Sequence, residues 1–319
     1  MKKLRLGLLG TGIAPRKLYL PAFEQVKGRV ELVACANRTK KKALDYAKLA
    51  GIPKVVDDAE ELFALPEVDA VMISLPIELQ PRYVLAALAA GKAVLSEKPV
   101  GPNVAAARAL LKKAKRYRSP WLVGENFAFM PHVARLVSWV KDEKLGDVRL
   151  VEATQMAVMD EKNPYFHTAW RAKPGHVGGF VADAGVHLAC AVRRCLGVPK
   201  VVKSLTARFN PALPPLDTAV ATLRFPGGTL GTWKSCFSAA HEGPMLRLYG
   251  SRANAELFYD HARLIPRRGK PVTFERGVNS FAAELTHFAD MVQRRTPAAY
   301  TPEEAVADLE LMARIVAGR

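Results

Sequence analysis

Two short segments carry side chains whose types and spacing suit proton and charge chemistry. The first is Glu97-Lys98-Pro99, which directly follows an apolar run typical of a buried strand. X-Pro bonds adopt the cis form at low cost and proline fixes its own φ, so this turn can hold the Lys98 ammonium group with little conformational freedom. The alternative interpretation is an exposed lysine in a turn that ends a strand.

The second segment contains Asp183 and His187, four residues apart in a glycine-rich run. On a helix the two side chains share one face, where the carboxylate can orient the imidazole and stabilise its cation, so the pair can transfer a proton. The alternative is a helix cap and a buried histidine with satisfied hydrogen bonds. Trp170 and Arg171 precede this run and are candidate substrate contacts, or else a core aromatic residue and a surface cation.

A glycine turn near the start of the chain could hold a phosphate group. Gly10-Thr11-Gly12 follows an apolar strand-like run and precedes a helical pattern. In that setting glycines let backbone N–H groups approach a pyrophosphate at the positive end of a helix. The third small residue of the usual fingerprint falls at Pro15, so a purely structural tight turn is the alternative.

The end of the second predicted strand bears on which nucleotide would be bound. An acidic residue here would bind a free ribose 2′-hydroxyl, whereas this chain has Asn37-Arg38, followed by three lysines at 40–42. A neutral residue followed by arginine can accept a 2′-phosphate, which favours NADP, with NAD also possible. The alternative is that the lysines are only the solvated start of a helix.

The elements that must position these residues are repeated β-α units over residues 1–120. Short apolar strands separated by amphipathic helices are typical of a parallel sheet covered on both faces. We predict strands at 5–9, 30–36, 54–56, 70–74, 93–95 and 121–124, and helices near 18–27, 40–49, 60, 82–90 and 105–116. A boundary near 121 would separate an NAD(P)-binding Rossmann domain, 1–121, from a substrate-binding and dimerisation domain, 122–319.

Beyond that boundary, alternating polarity and Gly or Pro turns predict a largely antiparallel sheet with one open face. The predicted strands are 148–157, 200–209, 219–225, 229–237, 244–250 and 255–259, and the predicted helices are 133–143, 281–294 and 302–316. Thr301, Pro302 and Glu304 match the start of a capped helix. The predicted fold class is therefore α/β, a doubly wound parallel sheet followed by an α/β domain with a largely antiparallel, open-faced sheet.

The charge and cysteine content restrict the class of partner. The net charge is +17, with an excess of 11 positive charges in residues 1–120 and 6 in the remainder. Without zinc-finger spacing, aromatic residues within a basic strand or a basic tail, this charge favours a phosphorylated small molecule over nucleic acid, or is merely a solvated basic face. Four cysteines without paired spacing predict no metal site and a reduced, cytoplasmic protein, and no apolar run is long enough for a membrane span.

The motifs in this order resemble the glucose-fructose oxidoreductase and inositol dehydrogenase (Gfo/Idh/MocA) family over nearly the whole chain. The resemblance rests on Gly10-Thr11-Gly12, on residues 87–92 leading to Glu97-Lys98-Pro99, on residues 126–131, and on Asp183-x-Gly185-x-His187. It implies a Rossmann domain, a second domain often used for dimerisation, and the nicotinamide between them. Lys98 would contact the reacting hydroxyl or carbonyl, and Asp183 and His187 would complete the catalytic group. The predicted cofactor contacts are Gly10, Thr11, Gly12, Ile13, Asn37, Arg38, Ser74, Pro76, Glu97, Lys98 and Asn126.

This resemblance implies hydride transfer between a nicotinamide and a hydroxyl or carbonyl carbon of a sugar-like or polyol-like substrate, in a homodimer or homotetramer. Lys98, Trp170, Arg171, Asp183 and His187 would contact that substrate. Gln80, Ala128 and Cys190 depart from common family residues, histidine, arginine and aspartate respectively, which makes an inositol or unmodified hexose less secure than the reaction type. Two alternatives stay open: a nucleotide-binding regulator without turnover, and a glycosidase that retains its nicotinamide.

Overall fold

The computed structural model describes residues 2–318. The chain divides by its contacts into two compact units, one of residues 1–126 and 279–306 and one of residues 127–278 and 307–319. This division lies a few residues beyond the predicted boundary at 121 and adds the segment 279–306 to the first unit. The assignment of nucleotide binding to 1–121 and substrate binding to 122–319 stays a prediction.

The first unit is built on a six-stranded parallel sheet with strand order β3-β2-β1-β4-β5-β6. Its central strands β1, β4 and β5 are almost entirely buried because helices cover both faces of a parallel sheet. The strands are β1 Leu4–Leu9, β2 Val30–Ala36, β3 Lys54–Val56, β4 Ala70–Ile73, β5 Ala93–Glu97 and β6 Trp121–Gly124. The helices are α1 Leu20–Val26, α2 Lys40–Ala50, α3 Ala59–Ala64, α4 Gln80–Ala89 and α5 Val104–Ala114, with a π-helical segment, Pro15–Tyr19, leading into α1.

The second unit contains an eight-stranded sheet in which every pairing is antiparallel except that of β7 with β10. The strand order is β14-β13-β12-β11-β7-β10-β9-β8. The strands are β7 Val148–Met156, β8 Val201–Ala207, β9 Thr218–Arg224, β10 Leu230–Cys236, β11 Leu246–Gly250, β12 Ala253–Leu257, β13 His261–Pro266 and β14 Val272–Glu275. The helices are α6 Pro131–Lys141, α7 Ala169–Ala172 and α8 Gly179–Leu196, preceded by a 3₁₀ turn at Asn126–Phe129.

Only one face of this second sheet is covered. α6 packs on β12, β13 and β14, and α8 packs on β7 and β10. Along β9 buried and exposed residues alternate, and Leu205, Val220 and Leu230 project from the uncovered face with 78%, 48% and 49% of their surface exposed. The predicted fold class, including the open-faced sheet, is confirmed.

The last two helices are α9 Ser280–Arg294, in the first unit, and α10 Pro302–Ile315. The predicted capping box is present: the Thr301 hydroxyl accepts from the Glu304 N–H, and the Glu304 carboxylate accepts from the Thr301 N–H. The sequence prediction omitted β13 and β14, which are short strands whose residues are mostly half-exposed or exposed and show no clear alternation of buried and exposed positions. No helix within residues 2–318 is both long and apolar enough to cross a bilayer.

Candidate active site

The glycine turn after β1 has a backbone that no other residue could adopt. Gly10 has φ +95°, and a Cβ placed on it would overlap the Ser74 carbonyl oxygen. Its N–H donates to the Ala36 carbonyl at 2.9 Å. A Cβ on Gly12, by contrast, would have no protein atom within 4 Å. Gly10 is therefore required by the fold, whereas the bare backbone at Gly12 leaves room beside the helix for a ligand such as a pyrophosphate.

The loop after β2 is tied to this glycine turn. The Asn37 side-chain oxygen accepts from the Thr11 N–H at 3.3 Å, and its amide nitrogen donates to the Thr39 carbonyl at 3.1 Å. The Thr11 hydroxyl donates to the Lys42 carbonyl at 3.1 Å. Asn37 thus organises the turn, and the position where an acidic residue would bind a ribose hydroxyl is occupied by a neutral amide.

The basic side chains that follow differ in how far they are neutralised. The Lys40 ammonium group pairs with Asp57 at 2.5 Å. The side chains of Arg38, Lys41 and Lys42 are exposed and form no hydrogen bond or ion pair with any residue from 2 to 318. The loop therefore presents uncompensated positive charge beside the glycine turn, as binding of a 2′-phosphate would require.

The remaining predicted cofactor residues of the first unit follow neighbouring parallel strands. Ser74 and Pro76 follow β4, Lys98 follows Glu97 at the end of β5, and Asn126 follows β6. The carboxyl ends of parallel strands lie at one edge of the sheet, so these residues share that edge with Gly10–Ile13. In the strand order 3-2-1-4-5-6, β2 and β3 lie on one side of β1 and β4 to β6 lie on the other. Parallel sheets bind nucleotides at this point between β1 and β4, where the strand order reverses.

Lys98 directly follows β5, whose last residue is Glu97, and Asn126 follows the neighbouring strand β6 after Glu125. Lys98 is half-buried, and the Lys98–Pro99 peptide bond is cis. The Asn126 amide donates to the Ser280 hydroxyl at 3.2 Å. The strand edge and the open backbone at Gly12 together fit a nicotinamide dinucleotide in this unit.

In the second unit Asp183 and His187 lie one turn apart on α8. Gly178 and Gly179, with φ +69° and +52°, lead into this helix, where a Cβ on Gly179 would overlap the Pro214 carbonyl oxygen. Gly185, between the two polar residues, faces Met312, whose side chain occupies the volume that a Cβ would need. The glycines of this motif are therefore explained by packing within the unit.

The contacts of Asp183 involve a residue predicted to touch the substrate. Arg171 Nε donates to Asp183 Oδ2 at 2.8 Å, and the two side chains are only 13% and 6% exposed. The Arg171 guanidinium lies 3.9 Å from the Trp170 ring centroid and 4.8 Å from that of Tyr165. Arg171 thus orients Asp183 within an aromatic enclosure, by a charge-assisted hydrogen bond.

His187 has an aromatic neighbour of its own. Its ring stacks on Phe127, with centroids 5.1 Å apart and an interplanar angle of 20°. The predicted orientation of His187 by Asp183 stays a prediction, because the bond described for the carboxylate is to Arg171. The sequence prediction did not include Tyr165, which carries no periodic or motif signal and becomes relevant only through its position over Arg171.

Two of the three positions that depart from the family pattern are buried. Gln80 is 2% exposed at the start of α4, and Cys190 is fully buried in α8. The Ala128 carbonyl accepts from Arg194 at 3.4 Å. Within residues 2–318 no three His, Cys, Asp or Glu side chains are grouped so that they could hold a metal ion.

Comparison with known proteins agrees with this geometry. Residues 4–125 match the model of an oxidoreductase family with an NAD-binding Rossmann fold, and residues 133–256 match the GFO/IDH/MocA C-terminal domain. A dehydrogenase of Fusarium mangiferae, FPY6, is 33% identical over 74% of this chain and 71% of its own. Trans-1,2-dihydrobenzene-1,2-diol dehydrogenase of Bos taurus is 25% identical over 98% of this chain and 95% of its own.

A solved structure has the same fold over nearly the whole chain. An oxidoreductase from Thermotoga maritima superposes with a TM-score of 0.94 at 30% identity, over 99% of this chain and 97% of that one. Family models and structure thus agree over both sheets. The chain belongs to the Gfo/Idh/MocA family of NAD(P)-binding oxidoreductases.

Proposed function

We propose that this protein is an NADP-dependent dehydrogenase or reductase that acts on the CH–OH or carbonyl carbon of a sugar-like or polyol-like substrate. The observation that carries the proposal is the strand edge of the first unit. There the open backbone at Gly12, the basic loop at Arg38 and the Lys98 turn follow adjacent parallel strands. When bound, the nicotinamide would supply the hydride chemistry, and the chain's own residues would position and charge-stabilise the reacting groups.

NADP is favoured over NAD by the charges around the adenosine end of such a site. The Asn37 amide cannot repel a phosphate, and Arg38 carries a guanidinium without an acidic partner in the described residues. Arginine presents a planar donor fork that matches phosphate oxygens. A free 2′-hydroxyl gains nothing comparable from this loop.

Three side chains are proposed to carry the chemistry. Lys98 would stabilise negative charge that develops on the substrate oxygen. His187 would accept or return the hydroxyl proton, and the stacked Phe127 ring restricts its orientation. Asp183, held by Arg171, would orient His187 or bind a substrate hydroxyl.

A vicinal diol or polyol is the substrate class that these groups suit. The His187 imidazole and the Asp183 carboxylate, one turn apart on α8, provide donors and acceptors for two adjacent oxygens. The bovine relative is named for oxidation of a trans-diol, which has the same pair of adjacent hydroxyl groups. Trp170 and Tyr165 add aromatic surface that can pack on the apolar face of a ring.

The test is a screen of sugars, polyols, cyclic trans-diols and their keto forms, followed by NADPH absorbance. At least one member of this set should give turnover that depends on enzyme concentration and is lost in Lys98→Met. NADPH binding without turnover on any member would favour the regulatory alternative. Loss of a glycosidic bond without net change in absorbance would favour the glycosidase.

A further inference from the structure

A cluster of carboxyl groups lies buried in the first unit next to the Lys98 turn. Glu97 ends β5, Glu125 directly follows β6, and Glu284 is on α9. Glu125 and Glu284 have no exposed surface. Tyr19, the last residue of the π-helical segment and also fully buried, forms a hydrogen bond of 2.8 Å between its hydroxyl group and Glu284 Oε1.

The local sequence makes room for this contact. A Cβ on Gly124 would lie 3.0 Å from the Tyr19 hydroxyl oxygen and 3.2 Å from Glu284 Oε1. Gly124 is also the partner of Glu97 in the pairing of β5 with β6, so Glu97 reaches the same place from the other strand. The Tyr19 hydroxyl is within hydrogen-bonding reach of Glu97 as well as Glu284. One phenol group thus connects two carboxyl groups.

Counting protons shows what this arrangement requires. A phenol has a single O–H, so it can donate to one carboxylate only, and a bond to the second requires a proton on that carboxyl group. Glu284 Oε2 is buried and has no hydrogen-bond partner among residues 2–318. A charge on Glu284 would be neither solvated nor paired; Glu97 also buries its Oε1, but part of that residue's surface is exposed to water. The proton therefore belongs on Glu284.

The surrounding charges act in the same direction. Burial raises the pKa of Glu284 well above its usual value, and the nearby Glu97 and Glu125 raise it further, while the Tyr19 bond opposes the shift. Burial, followed by the charges of Glu284 and Glu97, also raises the pKa of the Tyr19 phenol, which therefore keeps its O–H. The groups that act on Glu284 thus come from the π-helical segment, β5 and the residue after β6, and none of them is a cation.

We propose that Glu284 is a protonated buried acid that shares its proton through the Tyr19 hydroxyl with Glu97, and that it thereby serves as a positioning residue for Lys98. In the transfer, the Glu284 O–H bond breaks and its proton moves to the Tyr19 oxygen. The original Tyr19 proton moves to the Glu97 carboxylate. Tyrosine is regenerated, and one negative charge moves from Glu97 to Glu284, away from the residue that precedes Lys98.

The first experiment measures protonation and does not depend on any substrate. A group whose pKa is higher in the folded than in the unfolded chain stabilises the fold less as pH rises from the unfolded pKa, near 4.5, toward the folded one. Glu284→Gln keeps the shape and removes the titration. Its urea midpoint relative to the parent should therefore rise steadily between about pH 5 and 9. Glu24→Gln, at a side chain 71% exposed on α1, is the matched control and should show no such trend.

Infrared spectroscopy of the unaltered protein gives the same information even if the variant does not fold. The parent should show the carbonyl band of a protonated carboxylic acid at neutral pH, and Glu284→Gln should lack it. A midpoint difference that does not change with pH, or a parent without the band, would overturn the assignment of the proton.

The coupling to Lys98 rests on the proposed function and needs a separate measurement. Ionisation of Glu284 at high pH places a negative charge in the same carboxyl cluster as Glu97, the residue that precedes Lys98. Glu284→Gln should move the alkaline limb of kcat to lower pH, while leaving NADPH affinity within about twofold. Tyr19→Phe should cause the same displacement, and the double variant should add nothing further.

The two measurements fail in distinguishable ways. If the variants are active and their kcat falls at the same high pH as that of the parent, the proposed positioning role of Glu284 for Lys98 is overturned. If no substrate is found at all, the proposed function fails, while the urea and infrared measurements still decide whether Glu284 is protonated.

Discussion

The two candidate regions for chemistry are built by different means. In the first unit the turn at Gly10–Gly12 and the strand edge are made by backbone conformation, and the side chains of Arg38, Lys41 and Lys42 extend into solvent. In the second unit Asp183 is enclosed by other side chains, with Arg171 bound to it and aromatic rings around that guanidinium.

The difference shows which kind of site is open to a ligand and which is held in advance. A backbone cradle with uncompensated cations can bind an anion directly, because nothing must be displaced. A carboxylate already paired with arginine is held in one rotamer, at the cost of desolvating both charges. The first unit is therefore suited to binding and the second to orienting a reacting group.

Removing the proton-transfer group should produce the largest effect. His187→Ala should lower turnover by about 10²- to 10⁴-fold while NADPH affinity changes by only a few-fold, because the predicted cofactor contacts belong to the other unit. Lys98→Met and Asp183→Asn should also lower turnover with NADPH affinity within a few-fold, even though Lys98 is itself a predicted cofactor contact. The double variant Lys98→Met/His187→Ala should lose less than the product of the single losses. Steady-state kinetics and fluorescence titration measure both quantities. Near-parental turnover in His187→Ala would make His187 structural and leave Lys98 to carry the proton.

The two units should also respond to pH in opposite directions. His132, fully buried on α6, has its pKa lowered to about 4 by burial and by Arg276, against the smaller opposing effects of the Tyr259 carbonyl and Asp260. The unfolded chain binds that proton more readily, so stability is lost as pH falls from 6.5 toward 4, by up to about 3 kcal/mol. The contribution of Glu284 in the first unit to the free energy of unfolding instead decreases as pH rises.

Urea unfolding from pH 4 to 7 measures the effect of His132. His132→Leu should reduce the fall of the urea midpoint between pH 6.5 and 4, which is the acid limb of the stability profile. The exposed control His241→Gln should leave this limb unchanged. An acid limb that is identical in parent and His132→Leu would show that this histidine is not the group that titrates.

Substitutions at Gly10 and Gly12, the two glycines of the turn after β1, distinguish a role in the fold from a role in ligand binding. Gly10→Ala should destabilise the first unit by about 1–3 kcal/mol, because its Cβ meets a backbone oxygen at positive φ. Gly12→Ala should leave the unfolding midpoint within experimental error and weaken NADPH binding at least about tenfold, since its Cβ would occupy the ligand's space. Thermal unfolding and fluorescence titration distinguish the two. Unchanged NADPH affinity in Gly12→Ala would argue that the pyrophosphate is bound elsewhere.

Substitution of Arg38 tests whether the exposed positive charge of the loop after β2 determines the choice between NADPH and NADH. NADPH should bind at least about tenfold tighter than NADH, roughly 1.4 kcal/mol, and Arg38→Ala should remove most of that preference without weakening NADH. Lys40→Ala is the matched control, because Lys40 is already neutralised by Asp57. Equal affinities in the parent would contradict the argument for a 2′-phosphate.

The open face of the second sheet gives the smallest predicted change. Its apolar residues, among them Leu205 and Val220, form neighbouring pairs on β8 and β9. We expect self-association to cover them, and Leu205→Glu should weaken it by about tenfold, as measured by sedimentation at micromolar concentration. The matched change Leu44→Glu, at a residue 51% exposed on α2, should not. A parent that is only monomeric would contradict the expectation.

Much of this protein could be predicted from its sequence, because the relevant signals are local. Short apolar runs separated by helical patterns identify the parallel strands, and the Thr301–Glu304 spacing identifies a helix start, since both depend on residues close in the chain. The order of Gly10-Thr11-Gly12, Lys98 and Asp183 along the chain indicated the family. In each case the short-range chemistry determines the local conformation.

Only the tertiary structure decided which side chains meet. The pairing of Arg171 with Asp183 and of Tyr19 with Glu284 joins residues 12 and 265 positions apart, and no sequence period connects them. Burial likewise distinguishes Glu284, which packs against Gly124, from exposed glutamates of identical chemistry. The sequence by itself determined strand and helix type, turn geometry and family. Protonation and side-chain partnership depend on desolvation and distance, which exist only once the chain has folded.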